Sequence, residues 1–175
     1  MKIARSLRVA ALLGAVAVAA GACGGAGSSK AAPVAKATST TQDPAQAKVL
    51  ADFNSFADVY ARALADPNVT TAEVAGHMTG QALNNLQDVR VQLVTSGRVI
   101  KSEAVHHPTG IAISGTTATV QDCVTNNQTH YYAIGGGPHL SDIGDATASD
   151  EVTLQLENGT WKVANVVRKG TSCPG

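Results

Sequence analysis

Apolar residues recur along the chain in three different rhythms. The first is an unbroken run from Val9 to Ala20, preceded by Lys2, Arg5 and Arg8. That run is shorter than the roughly 20 residues needed to cross a bilayer core. The second rhythm is helical. Val49, Phe53, Phe56, Tyr60 and Ala63 follow one another at steps of four, three, four and three, which places them on one helix face. Asp43 can cap that helix, Pro44 suits its first turn, and Gln46 can reach back as in a capping box. Asp66-Pro67 ends it, so the spacing predicts a helix over 44–65 with one side buried. Thr70-Thr71-Ala72-Glu73 opens a short helix to about Met78. A third helix runs from Gln81 to about Ser96, with Leu83, Leu86, Val89 or Val91, and Leu93 or Val94 on its apolar side, and stops at Gly97.

The third rhythm is alternation. Arg98 to Val105 alternates loosely, and Thr109 to Ser114 alternates around Ile111 and Ile113. Gly115 marks a turn, Thr117 to Thr125 is the best-formed strand pattern, and Tyr131 to Ile134 is a shorter one. Gly135 to Ser149 is expected to be a loop. Glu151–Leu156 and Trp161–Arg168 flank Glu157-Asn158-Gly159-Thr160, where Asn-Gly is a strong hairpin signal. Helices first and antiparallel strands afterwards predict an α+β fold, with N-terminal helices packed on a curved antiparallel sheet. With two Phe, three Tyr and one Trp in the whole chain, the core must come largely from Val, Leu, Ile and Ala.

The front of the chain changes the picture. Three small residues, Ala20-Gly21-Ala22, precede Cys23 directly after the apolar run. This resembles the signal peptide of bacterial lipoproteins, with Ala20 standing where leucine is usual. The resemblance implies cleavage before Cys23, lipid on its thiol, and a domain held at the extracytoplasmic face of the cell membrane. Residues 1–22 are then a discarded leader. Residues 23–42, rich in Gly, Ser, Ala, Thr and Lys, form a flexible lipidated linker that cannot bury a core. Residues 43–175 remain, about the size of one domain. Loss of Lys2, Arg5 and Arg8 leaves 10 basic against 13 acidic residues, a net charge of −3. That balance argues against nucleic acid as a partner. With Cys23 acylated, Cys123 and Cys173 form an even pair, and outside the cytoplasm such a pair reads as a disulfide.

Four features are similar to the nuclear transport factor 2-like, or cystatin-like, cone. They are the long helix ending at Asp66-Pro67, the short helices up to Gly97, Thr117-Ala-Thr-Val-Gln-Asp-Cys-Val124, and Asn158-Gly-Thr-Trp-Lys-Val163 closing on Gly170-Thr-Ser-Cys173. The similarity covers about residues 44–173 and extends to small lipoproteins of high-GC Gram-positive bacteria. It implies a conical sheet wrapped on a long helix, often with a pocket, and an open sheet face that commonly supports dimers or accessory subunits. Such domains serve isomerases, cyclases, dehydratases and many non-enzymes, so fold alone does not assign a task.

Candidate chemistry is sparse. Alternation puts Ala118, Val120, Asp122 and Val124 on one strand face and Trp161, Val163, Asn165 and Val167 on one face of the last strand. Asp122 and Asn165 are therefore expected to point into the cone, where with Trp161 they could line a ligand site. A buried Asp122 is the one candidate acid–base residue. Adjacent His106 and His107 point to opposite sides of a strand, and the five histidines show no metal-binding spacing. Gly135-Gly-Gly-Pro-His139 lacks the phosphate-loop pattern. No metal or cofactor is expected. The reading that follows is a membrane-anchored, non-catalytic protein-interaction module that meets a partner or a second copy through its sheet face. A carrier of a small apolar ligand, or an isomerase-like enzyme using Asp122, are the other readings. A cone plugged by Phe53, Phe56, Tyr60 and Trp161 favours the module, whereas a deep apolar cavity above Asp122 favours ligand or chemistry.

Overall fold

The computed structural model describes residues 43–143 and 146–173. The expected leader, Cys23 and the linker lie outside the described residues. Helix α1 spans Pro44–Ala65. Asp43 caps it by accepting from the Ala45 N–H at 2.9 Å. Gln46 does not close a capping box; its amide instead donates across to the Ile111 carbonyl at 3.2 Å. The buried face is Val49, Phe53, Phe56, Val59 and Ala63. Tyr60, expected on that face, is displaced by Val59 and lies at the rim, 37% exposed. A step of three from Phe56 keeps the stripe aligned with the core, while a step of four carries Tyr60 to its edge.

Helix α2 is one turn, Thr71–Ala75, capped by the Thr70 hydroxyl, which accepts from the Glu73 N–H at 3.1 Å. It ends before Met78 because residues 77–79 leave the helix to pair with Val163 of the last strand. Helix α3 covers Gly80–Thr95 and buries Ala82, Leu86 and Leu93. Val89, Val91 and Val94, candidates for its buried side, face outward. Gly97 ends α3 with φ +67, a left-handed conformation suited to glycine. Arg90 ties α3 to the α1–α2 connection by donating to the carbonyls of Val69 and, at 3.3 Å, Pro67. Among the described residues, no helix is long and apolar enough to cross a membrane.

Five antiparallel strands follow: β1 Arg98–Ser114, β2 Thr117–Ala133, β3 His139–Asp142, β4 Ala146–Glu157 and β5 Thr160–Gly170. They form one sheet in the order β1-β2-β4-β5, with β3 also on β2. The fold is α+β, with the helices packed on a curled sheet. The two alternating segments expected on either side of Pro108 form one continuous strand. Its irregular register at Ser102/Ala104 and Pro108/Gly110 bends it, and its edge position tolerates the missing proline N–H. The expected loop 135–149 contains β3 and the start of β4. Gly135 and Gly136 turn the chain at φ +79 and +78. The Asn158-Gly159 hairpin turn has both residues at positive φ, 51 and 82, as a type I′ turn requires.

Val120, Val152, Leu154 and Val163 from the sheet, Leu86 from α3 and Phe53 from α1 are almost completely buried in one core. The sheet's outer face carries Thr117, Thr119, Gln121, Thr153 and Gln155 instead, by alternation with those core positions. Cys123 on β2 and Cys173 beyond β5 are joined by a disulfide, their Cα atoms 5.4 Å apart and 50 residues apart in sequence. Closing such a loop restricts the unfolded chain by about 4 kcal/mol in the chain-entropy model. Replacing both cysteines by serine is expected to lower unfolding free energy by 2–4 kcal/mol, roughly, in urea titrations. An unchanged midpoint would show that the bond contributes no stability.

Candidate functional site

The concave side of the sheet carries a row of four polar side chains, one from each main strand. His106 comes from β1, Asp122 from β2, Asp150 from β4 and Arg168 from β5. The register explains the row. Asp122 stands directly opposite Asp150, and Asp150 opposite Arg168. Paired residues of antiparallel strands share a face, with Cβ atoms roughly 5 Å apart. Val120 and Val152, one step along the same face, are buried, so the row lies on the inner side.

Both carboxylates are buried, Asp122 at 2% and Asp150 at 6% residual exposure. Two like charges facing each other there would repel, and each has a partner on its far side. His106 Nδ1 lies 2.6 Å from Asp122 Oδ2. An ionised carboxylate only accepts, so the shared proton then sits on Nδ1. Arg168 makes a two-pronged contact with Asp150, Nε to Oδ1 at 3.1 Å and Nη2 to Oδ2 at 3.4 Å. Asp150 in turn raises the Arg168 pKa further. Tyr60 stands at the same end of the cone. Burial pushes its phenol above the ordinary range; Arg168 works against that shift and Asp150 adds to it. Asp122 Oδ1 is buried without a hydrogen-bond partner.

Geometry for acid–base work is thus present, and aromatic rings of α1 pack against it. The edge of the Phe53 ring meets the His106 imidazole at 5.6 Å between centroids. Phe56 follows at 5.9 Å from Phe53, and Tyr60 at 5.7 Å from Phe56. This aromatic file fills the cone above Asp122. Two hollows of the domain lie elsewhere. One of about 10 Å³ lies between α1, α3 and β1, and includes Ala63 and Val99 in its lining. A broad one of about 530 Å³ on the outer helical surface is lined by Val91, Val94 and Arg90 among others.

The expected trio of Asp122, Asn165 and Trp161 is not brought together. Trp161 is 5% exposed within the core and pairs with Leu156. Leu156 lies six positions along β4 from Asp150, about 20 Å at the strand rise. Asn165 does not face the cone. The β4–β5 register slips between Thr153 and Leu154, placing Ala164 as an extra residue, so Asn165 pairs with Thr153 on the outer face. The same slip turns Arg168 inward, in place of Val167. His106 is not a plain edge residue but the partner of Asp122, while His107 faces Thr125 on the other side.

The structure also gathers His130, His139 and Asp142, whose ligand atoms lie within 4.8 Å of one another. This is a candidate metal-ligand set where the sequence spacing gives none. Asp142 accepts from both imidazoles through Oδ1, at 2.5 Å from His130 and 2.7 Å from His139. Those hydrogen bonds, His130 first, hold its carboxyl below the usual range.

No protein-family model matches the sequence, and no curated protein matches it. Solved structures do. The intermembrane space region of the chloroplast protein ARC6 superposes with a TM-score of 0.56 at 14% identity, over 72% of this chain and 95% of that one. Kfla4162 from Kribbella flavida gives 0.41 at 12% identity, over 70% of this chain and 88% of that one. The likeness to the ARC6 region is one of fold. The curled antiparallel sheet with helices on its concave side fits a nuclear transport factor 2-like fold.

The buried pairing generates a stability prediction. His106→Ala strands the Asp122 carboxylate without its donor and is expected to cost about 3 kcal/mol at neutral pH. Asp122→Asn keeps an acceptor for the imidazole and removes the buried charge, so its cost is expected to be smaller. Chemical denaturation of the two variants checks the order; the reverse order contradicts the pairing.

Proposed function

We propose that the chain is a lipoprotein whose domain serves as a non-catalytic protein-interaction module at the extracytoplasmic face of a membrane. The observation that carries the non-catalytic part is the filled cone. Phe53 is fully buried and Phe56 and Trp161 nearly so, and Phe53 packs edge-on against His106, the partner of the buried Asp122. A carrier needs a cavity that encloses most of its ligand, and an enzyme needs its carboxylate within reach of substrate. Neither condition suits this interior. The ARC6 region adds that such a fold occurs in a segment lying in an intermembrane space.

The anchor rests on Cys23 behind Ala20-Gly21-Ala22 and on the short apolar run before them. Acylation there with two or more chains gives stable membrane attachment, and residues 23–42 serve as the tether. The contact surface of this reading is the outer face of the sheet around Thr119, Thr153 and Gln155. Polar side chains along the strands suit a polar, reversible interface with a partner protein or a second copy. An extracytoplasmic address also accommodates the Cys123–Cys173 disulfide.

Two measurements on the same preparation test this reading. Cys23→Ser is expected to release the protein from membranes and remove the lipid mass from the mature N-terminus. A photo-crosslinking residue at Thr119 is expected to yield a protein adduct, while native mass spectrometry shows no lipid retained inside the domain. A lipid held by the domain after the anchor is cleaved off would overturn the module in favour of the carrier.

A further inference from the structure

His130, His139 and Asp142 stand apart from the buried row, and neither the fold nor the proposed module uses them. Their meeting is produced by the β2–β3 turn. Gly135 and Gly136 take positive φ, and a Cβ on Gly137 would fall 2.6 Å from the Ala133 Cβ. The close return needs glycines, and the Ala133 N–H to Pro138 carbonyl bond at 3.1 Å closes it. β3 is thereby laid on β2 with His130 opposite Asp142 and Tyr132 opposite His139. His130 and Tyr132 share a face of β2, so the two imidazoles come together, with centroids 5.2 Å apart and planes at 75°.

Two imidazole nitrogens converge on a single carboxylate oxygen, Nδ1 of His130 and Nε2 of His139 on Oδ1 of Asp142. We propose that this triad is a binding site for a borderline divalent transition cation of the zinc type. The donor set is the argument. Two neutral imidazoles and one carboxylate suit zinc, copper or nickel, whereas calcium and magnesium prefer an all-oxygen shell. Zinc bonds these atoms at about 2.0–2.2 Å, which sets tetrahedral ligand atoms ~3.3 Å apart. The Asp142 oxygen must retreat by less than about 1 Å to reach that spacing. It has the freedom to do so, since its side chain is 64% exposed.

The cation takes the place of the hydrogens now shared with the carboxylate, and each neutral ring then carries its one N–H on its other nitrogen, Nε2 of His130 and Nδ1 of His139, by exchange with solvent. The anionic Asp142 offsets one of its two charges. The nearest basic side chain on the neighbouring strand, Lys101 opposite His130, has its ammonium stacked 4.6 Å from the Tyr132 ring centroid. Three protein ligands on an exposed edge leave a fourth coordination position toward water. Bound there, the cation clasps the short β3 to β2.

The test uses the full chain stripped with a chelator and titrated with Zn²⁺ alone, by calorimetry and by competition with a chromophoric chelator. One zinc per chain at micromolar affinity or tighter is expected. His130→Ala and His139→Ala are each expected to weaken binding at least about tenfold, and the double variant to abolish it. His77→Ala and His107→Ala are expected to leave the affinity unchanged, and Ca²⁺ not to bind. X-ray absorption of the zinc-loaded wild type is expected to show two imidazoles with oxygen ligands, a readout that does not require any variant to fold. Absence of saturable binding, an absorption spectrum without imidazole, or unchanged binding in the folded double variant would overturn the site.

Discussion

The structure depends on one contact, the apolar stripe of α1 laid into the curl of the sheet. Five residues in about four turns, Val49, Phe53, Phe56, Val59 and Ala63, are all buried. With so few aromatics in the chain, the two phenylalanines supply most of the volume that β-branched strand residues cannot. A curled sheet has a concave side that must be filled, and helix α1 fills it. The edge strands are held by the same arrangement. Gln46 fastens α1 to β1, and the Asp52 carboxylate accepts from the Trp161 N–H of β5 at 2.8 Å.

Filling the cone in this way decides what the buried charges can do. Two carboxylates side by side in the row are expensive to bury, and each is held by a cation or donor on its outer flank. Phe53 and Phe56 separate that row from the rest of the core, and Tyr60 covers its rim. The result resembles the interior of a catalytic cone in its residue types and differs from one in access. The carboxylates lie at the bottom of that row, and His106 and Arg168 carry it outward to the solvent. The outer face of the sheet is polar, with Thr117, Thr119, Gln121, Thr153 and Gln155 along its strands.

Much of this architecture was legible because helix and hairpin signals are local. Asp43-Pro44 and Asp66-Pro67 bracket α1 to the residue, and Asn158-Gly159 fixes the β4–β5 hairpin. Asp122 could be placed inward from its valine neighbours alone. What escaped depended on pairing. Asp150 falls between the expected loop, which ends at Ser149, and the expected strand, which opens at Glu151, although Ala148, Asp150, Val152 and Leu154 alternate as a strand does. Asn165 and Val167 take the face opposite to the one alternation predicts, because one extra residue at Ala164 reverses it and nothing in the local sequence announces it. His130 and His139 sit nine positions apart with a turn between them, so only the folded hairpin reveals that they meet. Val89, Val91 and Val94 fit a helical stripe equally well on paper, and tertiary packing selected the other side of α3.

The filled cone is most directly tested by emptying it. Urea unfolding of Phe53→Ala in the full chain measures how much of the domain's stability rests on that one ring. A loss of about 3–5 kcal/mol is expected, the cost of a large cavity in a core that cannot collapse onto it. A loss below about 1 kcal/mol, within the range of an ordinary surface substitution, would contradict the account, because the cone would then not need its plug.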